Sequence, residues 1–143
     1  MSQFISTSMP RGFAGQITRG FFDNTVEVKE ASAVIPAGSP VKLSAVGKVA
    51  ACSAAADAVI GFAVREYGQA DLSGNQEQQF VGVLRRGYIA VKLASGTASA
   101  GAQVYLTADG AISAASPGNT AITGCKFCGK ADADGIVEIE FNI

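Results

Sequence analysis

The sequence contains no histidine and no tryptophan, and only 16% of its 143 residues are charged, against roughly 25% in an average soluble protein. Without histidine, the chain lacks the commonest general base and the commonest ligand of transition metals. Eleven basic and twelve acidic residues leave a net charge of −1, so the chain lacks the excess of positive charge that is typical of nucleic-acid-binding proteins. These absences argue against acid–base catalysis and favour a structural or binding protein.

Long apolar runs are also missing. The strongest, residues 58–64, is seven residues long, whereas a transmembrane helix needs about 20. The first six residues lack the basic and apolar regions of a signal peptide. The number of cysteines, three, is odd, and nothing in the sequence indicates an oxidising compartment. We therefore expect reduced thiols rather than disulfides. The length suits one domain.

An internal repeat is the most informative feature that is present. A shift of 63 residues aligns residues 37–61 with 100–124 without a gap, and upstream the same register matches residues 26–29 with 89–92. Because the apolar and glycine positions keep their order, we interpret the repeat as a duplicated unit covering about residues 26–65 and 89–128. Ten of the 25 aligned pairs are identical, at Ala37, Gly38, Val41, Leu43, Ala45, Gly47, Ala51, Ser53, Ala58 and Gly61.

Each unit is expected to contain a strand, a turn, a hairpin and a closing strand. Residues 26–29 and 89–93 alternate apolar and polar side chains, as half-buried strands do. Hairpins are predicted across residues 45–47 and 108–110, because glycine supplies the positive φ of such turns. The closing strands are predicted within residues 58–64 and 121–128.

The remaining strands complete an all-β prediction. Residues 80–85 predict a strand joined by Arg86-Gly87 to the one that starts at Tyr88, and no stretch of ten residues shows helical periodicity. We expect a small single-domain β-barrel or sandwich over residues 23–143, built from the two tandem units. In the last strand the two faces are expected to be apolar (Val137, Ile139, Phe141, Ile143) and solvated (Glu138, Glu140, Asn142).

Two short motifs resemble chemical sites but are better explained as structure. Cys125 and Cys128 form a C-x-x-C, but a zinc site wants four Cys or His ligands, and Cys125 aligns with the apolar Phe62. We predict a buried, inert thiol. Residues 132–135 start like a calcium loop but lack its later ligands, so we predict a turn. No catalytic residue, metal ligand or cofactor-binding residue is assigned.

The first 22 residues differ from the rest of the chain. They are apolar, punctuated by glycine and without a regular pattern, and they hold four of the eight phenylalanines. We interpret residues 1–22 as an extended N-terminal arm that docks on a partner, since Arg and Phe are enriched at interface centres. Three Arg-Gly pairs, at residues 11–12, 19–20 and 86–87, have an alternative interpretation as solvated charges beside flexible turns. The candidate interface residues are Phe4, Ile5, Arg11, Phe13, Arg19, Phe21 and Phe22.

The chain resembles the structural cement (capsid decoration) proteins of tailed bacteriophages. The resemblance lies in the Ala-Gly-x-x-Val-x-Leu segments at residues 37–43 and 100–106, the glycine-containing hairpin that follows, the Val-Ile-Gly-Phe-Ala strand at 59–63, and the ending at residues 135–143. It implies a small β-rich protein that binds the outside of the assembled head, as dimers or trimers that bridge major capsid protein subunits.

The expected partners are therefore the major capsid protein and further copies of this chain. We expect no nucleic acid, no membrane, no cofactor and no small-molecule substrate. The alternatives are a β-structured tail or baseplate subunit and a barrel-type ligand or nucleic-acid binding module. The second should show a basic, aromatic face, but the three tyrosines are scattered along the chain.

Overall fold

The computed structural model describes residues 14–19, 24–45, 47–65 and 80–142. Within these residues it contains strands and no helix, which confirms the all-β class; this part of the chain thus offers no helix that could cross a membrane. The strands are β1 (Thr25–Ala31), β2 (Pro40–Ala45), β3 (Lys48–Ala51), β4 (Gly61–Ala63), β5 (Phe80–Ser95), β6 (Gln103–Leu106), β7 (Ile112–Ser113), β8 (Thr120–Phe127) and β9 (Ile136–Asn142).

One long strand organises the sheet. β5 runs for 16 residues, so the prediction of two strands joined at Arg86-Gly87 was wrong. The strand continues through this pair, since Arg86 and Gly87 pair with Asn142 and Phe141 of β9. A bulge lies directly before it, at Arg85: Val26 pairs with Leu84, but its neighbour Thr25 pairs with Arg86. A bulge inserts one extra residue and bends a strand without ending it.

The strand pairings close into two circuits that share β5. In the first circuit the order is β1-β3-β2-β4-β5, and β5 pairs back to β1. In the second the order is β5-β7-β6-β8-β9, and β9 pairs back to β5. The first half of β5 therefore belongs to one repeat unit and its second half to the other.

The two hairpins have the same internal register. Both predicted turns are confirmed, since β2 pairs with β3 and β6 pairs with β7 as antiparallel neighbours. The predicted closing strands are also present. β4 lies within residues 58–64 but is only three residues long, and β8 begins one residue before the predicted range of 121–128. At the offset of 63 the equivalent pairs are Lys42–Ala50 with Tyr105–Ser113, and Leu43–Val49 with Leu106–Ile112.

Apolar side chains form two buried clusters. The smaller one fills the first circuit with Ile35, Val41, Val49, Ala63, Val81 and Val83. The larger one lies in the second circuit and extends into the first through Phe62 and Leu84. Phe62 contacts Phe141 edge to face, with 5.4 Å between ring centroids, an arrangement that aromatic quadrupoles favour. The larger cluster therefore contains residues of both units.

The two motifs that resembled chemical sites are structural. Cys125 is fully buried in the larger cluster, as its alignment with Phe62 predicted, and burial raises the pKa of its thiol. The predicted turn at residues 132–135 is confirmed: the Asp132 carboxylate accepts hydrogen bonds from the N–H groups of Asp134 and Ile136, both at 2.9 Å. β9 begins immediately after this turn.

Candidate partner-binding surface

Residues 14–19 are the described part of the predicted arm, and they lie on the sheet of their own chain. We call them the strap. The strap runs antiparallel to the second half of β5: Gly15 donates its N–H to the carbonyl of Ala90 at 2.7 Å, and Thr18 donates to Tyr88 at 3.2 Å. Ala90 donates in return to Gln16 at 2.9 Å. The strap thus extends the sheet by a short strand.

A glycine allows the strap to pack closely at its start. Gly15 has φ +86°, and a Cβ there would lie 2.8 Å from both Ala37 Cβ and the Gly38 nitrogen. The Gly15 carbonyl accepts a hydrogen bond from Arg65 N–H at 2.8 Å. The strap therefore contacts the first unit through the turn at residues 36–38 while it pairs with the second unit through β5.

Glu138 is buried beneath the strap. The sequence predicted that this side chain faces solvent, and that prediction was wrong: the residue is only 7% exposed. Its carboxylate accepts two hydrogen bonds from the Arg19 guanidinium, at 2.8 and 3.2 Å, and one from the Thr18 hydroxyl. The strap covers this face of β9 at Glu138, whereas Glu140 is half-buried and Asn142 is exposed.

Arg19 also contacts an aromatic ring and a side-chain amide. Its guanidinium lies over the Tyr88 ring, 4.3 Å from the centroid, and the hydrogen bonds and charge of Glu138 raise its pKa. The Arg19 carbonyl accepts a hydrogen bond from the Asn24 side-chain amide at 2.7 Å. Cys128 lies nearby, and burial together with the Glu138 carboxylate raises the pKa of its thiol to about 11.

Of the seven candidate interface residues, the structure places one. Arg19 holds the strap to its own domain, although its side chain remains about half exposed, at 51%. The other candidates lie outside the described residues, and their part in an interface stays a prediction. These are Phe4, Ile5, Arg11, Phe13, Phe21 and Phe22.

A second surface feature is an exposed apolar face on β1, which the sequence did not predict. The alternation in residues 26–29 suggested buried valines, but Val26 is 41% and Val28 is 70% exposed. Phe80 of β5, on the same face, is 56% exposed. We call these three residues the β1 patch.

Charged side chains occupy the other face of β1. Glu27 pairs with Arg85 at 3.0 Å and with Lys29 at 3.2 Å, and the hydrogen bond from Lys29 lowers the pKa of the Glu27 carboxyl. The pairing with β5 decides the orientation of β1: Glu27 pairs with the buried Val83 and Lys29 with the buried Val81, so the valines of β1 lie on the opposite face. An alternating pattern alone does not tell which of its two faces is covered.

The described surface offers contacts rather than reacting groups. Within the described ranges, no three His, Cys, Asp or Glu side chains lie close enough together to hold a metal ion. What the geometry does provide is a strapped extended segment, an apolar patch and a rigid sheet. These features are suited to contacts with another protein surface.

Comparison with known proteins identifies the family. The sequence model of the phage family described as structural cement protein (E217 gp24/Pam3 gp6) matches residues 1–142. The chain therefore belongs to this family, as its resemblance had indicated.

A solved structure agrees in fold. A chain described as part of the capsid of Myoviridae phage XM1 superposes with a TM-score of 0.80 at 19% sequence identity, covering 99% of this chain and 97% of that one. At this identity the likeness shows the fold alone. Among curated proteins, no sequence matches this chain.

Proposed function

We propose that this protein binds the outer surface of a phage head and stabilises it by bridging neighbouring major capsid protein subunits. The observation that carries the proposal is the family match over residues 1–142, with the fold shared by a phage capsid chain. Membership of the cement family makes it a structural protein of the virion capsid. The proposal adds the surface, the partner and the absence of any catalytic role.

The shared sheet supports a bridging role. Because both circuits are closed through β5 and the larger cluster contains residues of both units, we expect the two units to behave as a single stiff element. A stiff element transmits force between two attachment points better than two independently moving modules do. Many copies on one shell would then reinforce one another through linkage, even where each contact is weak.

The leading segment supplies the proposed contact. Residues 1–13 hold Phe4, Ile5 and Phe13, and they precede a strap that is fixed to the sheet at Gly15. An extended segment of 13 residues reaches about 43 Å. Ordering it costs roughly 1–2 kcal/mol per residue, so its apolar side chains must be buried against a partner.

A binding experiment with heads that lack the protein tests this function. Full-length protein should decorate such heads at a fixed number of copies and raise the temperature at which they break open. Phe4→Ala with Ile5→Ala should lower occupancy at least tenfold, because two apolar anchors are lost. Val34→Ala, at an exposed valine outside the leading segment, is the matched control.

Two outcomes would contradict the proposal. Full-length protein that leaves heads undecorated would remove the function itself, and density on the tail in electron micrographs would favour the tail or baseplate alternative. Normal occupancy by the double variant would retain the function but reject the contact through the leading segment.

A further inference from the structure

The edge of β1 is open where the equivalent edge of β5 is covered. β3 pairs with β1 only at Glu30 and Ala31, and among the described residues no strand pairs with β1 on this side before Glu30. On β5, the edge in front of the equivalent parallel pairing with β7 carries the strap. Within the described residues the two repeat units therefore differ at this edge: the strap covers it in the second unit, and no described strand covers it in the first.

The registers establish which residues correspond. Ala31 pairs with Val49, and Leu93 pairs with Ile112. Since the hairpins correspond at an offset of 63, Val49 is equivalent to Ile112, and Ala31 must be equivalent to Leu93, at an offset of 62. The predicted match of residues 26–29 with 89–92 was therefore wrong by one residue. Counting back along the strands gives the equivalent pairs Val26 with Tyr88 and Val28 with Ala90.

The backbone of β1 points its hydrogen-bonding groups toward this open edge. Ser32 donates its N–H to Val49 of β3 at 2.9 Å. Because alternate residues of a strand direct their N–H and C=O groups to the same side, Val28 and Val26 direct theirs to the side of β3, beyond the end of its pairing. Tyr88 and Ala90 use the equivalent groups to hold the strap.

The side chains at the open edge call for an apolar partner. Val28 pairs with Gly82, whereas its equivalent Ala90 pairs with Glu138. At this position the first unit therefore has no carboxylate for an arginine such as Arg19, and Glu30, two residues along the same face of β1, is paired with Lys48 at 3.3 Å. Instead, it offers the exposed β1 patch, so the added strand should carry apolar side chains.

The chain itself contains a segment of that kind. Residues 3–6 read Gln-Phe-Ile-Ser, and the strap at residues 16–18 reads Gln-Ile-Thr. Both place glutamine before apolar side chains and a hydroxyl after them. Residues 3–6 hold the larger apolar side chains, which suits a patch that lacks a charged partner.

Chain direction favours a second copy as the donor. Gly15 lies at Ala90 and Thr18 lies at Tyr88, so at Ala14 the chain is directed away from the half of β5 that pairs with β1. Val28 is paired at Gly82, roughly 26 Å from Ala90 along β5. A segment of the same chain would have to reverse direction and cover this distance, but a segment of a neighbouring copy would not.

We propose that the open edge of β1 at Val26 and Val28 receives residues 3–6 of a second copy as an added strand, with Phe4 or Ile5 covering the β1 patch. This is β-augmentation, in which backbone hydrogen bonds provide affinity and side-chain contacts provide specificity. The proposal deepens the contact role of the leading segment under the proposed function and names its acceptor.

Self-association of the full chain tests the acceptor. Sedimentation of Val28→Lys should show self-association at least tenfold weaker than that of the wild type, since a lysine on an open edge opposes strand addition. Val34→Lys introduces the same charge at another exposed valine and should sediment like the wild type. Thermal unfolding checks that both variants fold.

Cross-linking between distinguishable copies tests the donor. Protein carrying Phe4→Cys or Ile5→Cys is mixed with tagged protein carrying Val28→Cys, and oxidation should yield a disulfide between the two copies. Wild-type protein gives the background from its own cysteines. No cross-link in either mixture would overturn the proposal. A variant that carries both cysteines in one chain is the second test, and a disulfide that forms only within that chain would overturn the proposal as well.

The two proposals can fail separately. Undecorated heads would reject the function whatever the copies do in solution. Heads that bind Val28→Lys poorly while its self-association is unchanged would assign the edge to the capsid protein, which contradicts a second copy as the occupant. Self-association that is insensitive to Val28→Lys would contradict it as well.

Discussion

Gly47 and Gly110 occupy the same place in the two hairpin turns, but they have different surroundings. Both have positive φ, +75° and +81°. A Cβ on Gly47 would meet nothing within 4 Å, whereas a Cβ on Gly110 would overlap the Cys52 carbonyl in the loop after β3. The second turn therefore packs against the first unit, and this contact helps to join the two units.

Gly110→Ala should destabilise the protein more than Gly47→Ala does. Both changes force alanine into a left-handed backbone, at about 1–2 kcal/mol each. Gly110→Ala should cost a further 1–3 kcal/mol, roughly, because the loop at Cys52 must move. Urea unfolding of the two variants measures the difference, and equal midpoints would show that the turn and the loop are not in close contact.

The strap is the element that joins the leading segment to the body, and Arg19 is its main polar anchor. Arg19→Ala leaves the Glu138 carboxylate buried without its guanidinium, and we expect a loss of about 1–2 kcal/mol in the free energy of unfolding. The Ala90 amide, which donates to the strap at Gln16, should exchange with deuterium at least tenfold faster. Hydrogen-exchange measurements on the folded protein report this directly.

Arg86→Ala is the control for the strap. Arg86 is exposed on β5, the strand that carries Ala90, and within the described chain it forms no ion pair. Its removal should leave the exchange rate of the Ala90 amide unchanged. If Arg19→Ala also leaves that rate unchanged, the ion pair with Glu138 does not hold the strap, and backbone pairing alone is sufficient.

Local chemistry made the hairpins predictable from the sequence. The turns at residues 45–47 and 108–110 need glycine at a positive φ, and β9 alternates apolar and polar residues from Val137 to Asn142. The burial of Glu138 could not be predicted, because it depends on a strap that lies 119 positions away along the chain. The outward direction of Val28 depends on the register of β1 against β5, in which Val28 pairs with Gly82, and the alternating pattern does not encode that register.

At the scale of the whole molecule, the titratable groups predict that the free energy of unfolding is constant near neutral pH and falls on both the acidic and the alkaline side. The chain has no histidine, the residue whose ordinary pKa of about 6.5 lies in the neutral range. Hydrogen bonds from Lys42 and from the Ser53 N–H lower the pKa of Asp57, and burial raises the pKa of Cys52 to about 11. Titrations linked to folding therefore lie on the acidic and the alkaline side.

The signs follow from linkage. A carboxyl group with a lowered pKa stabilises the fold above its unfolded pKa, about 3.9 for Asp, and this contribution is lost as the pH falls through the folded value. A thiol with a raised pKa stabilises the fold below its unfolded value of about 8.5, and this contribution is lost as the pH rises toward 11. Between roughly pH 5.5 and 8 we expect constant stability.

Urea midpoints measured from pH 3 to pH 10 test this dependence of stability on pH. Asp57→Asn isolates the contribution that is lost on the acidic side. The variant keeps a side-chain oxygen for the loop at residues 53–54 but loses the charge that Lys42 binds at 2.9 Å. It should be less stable at neutral pH, and its midpoint should fall less between pH 5 and pH 3. Asp109→Asn changes an exposed carboxylate in the second hairpin turn and should follow the wild type. A midpoint that changes steeply near pH 6.5 in the wild type would contradict this assignment of the titrating groups.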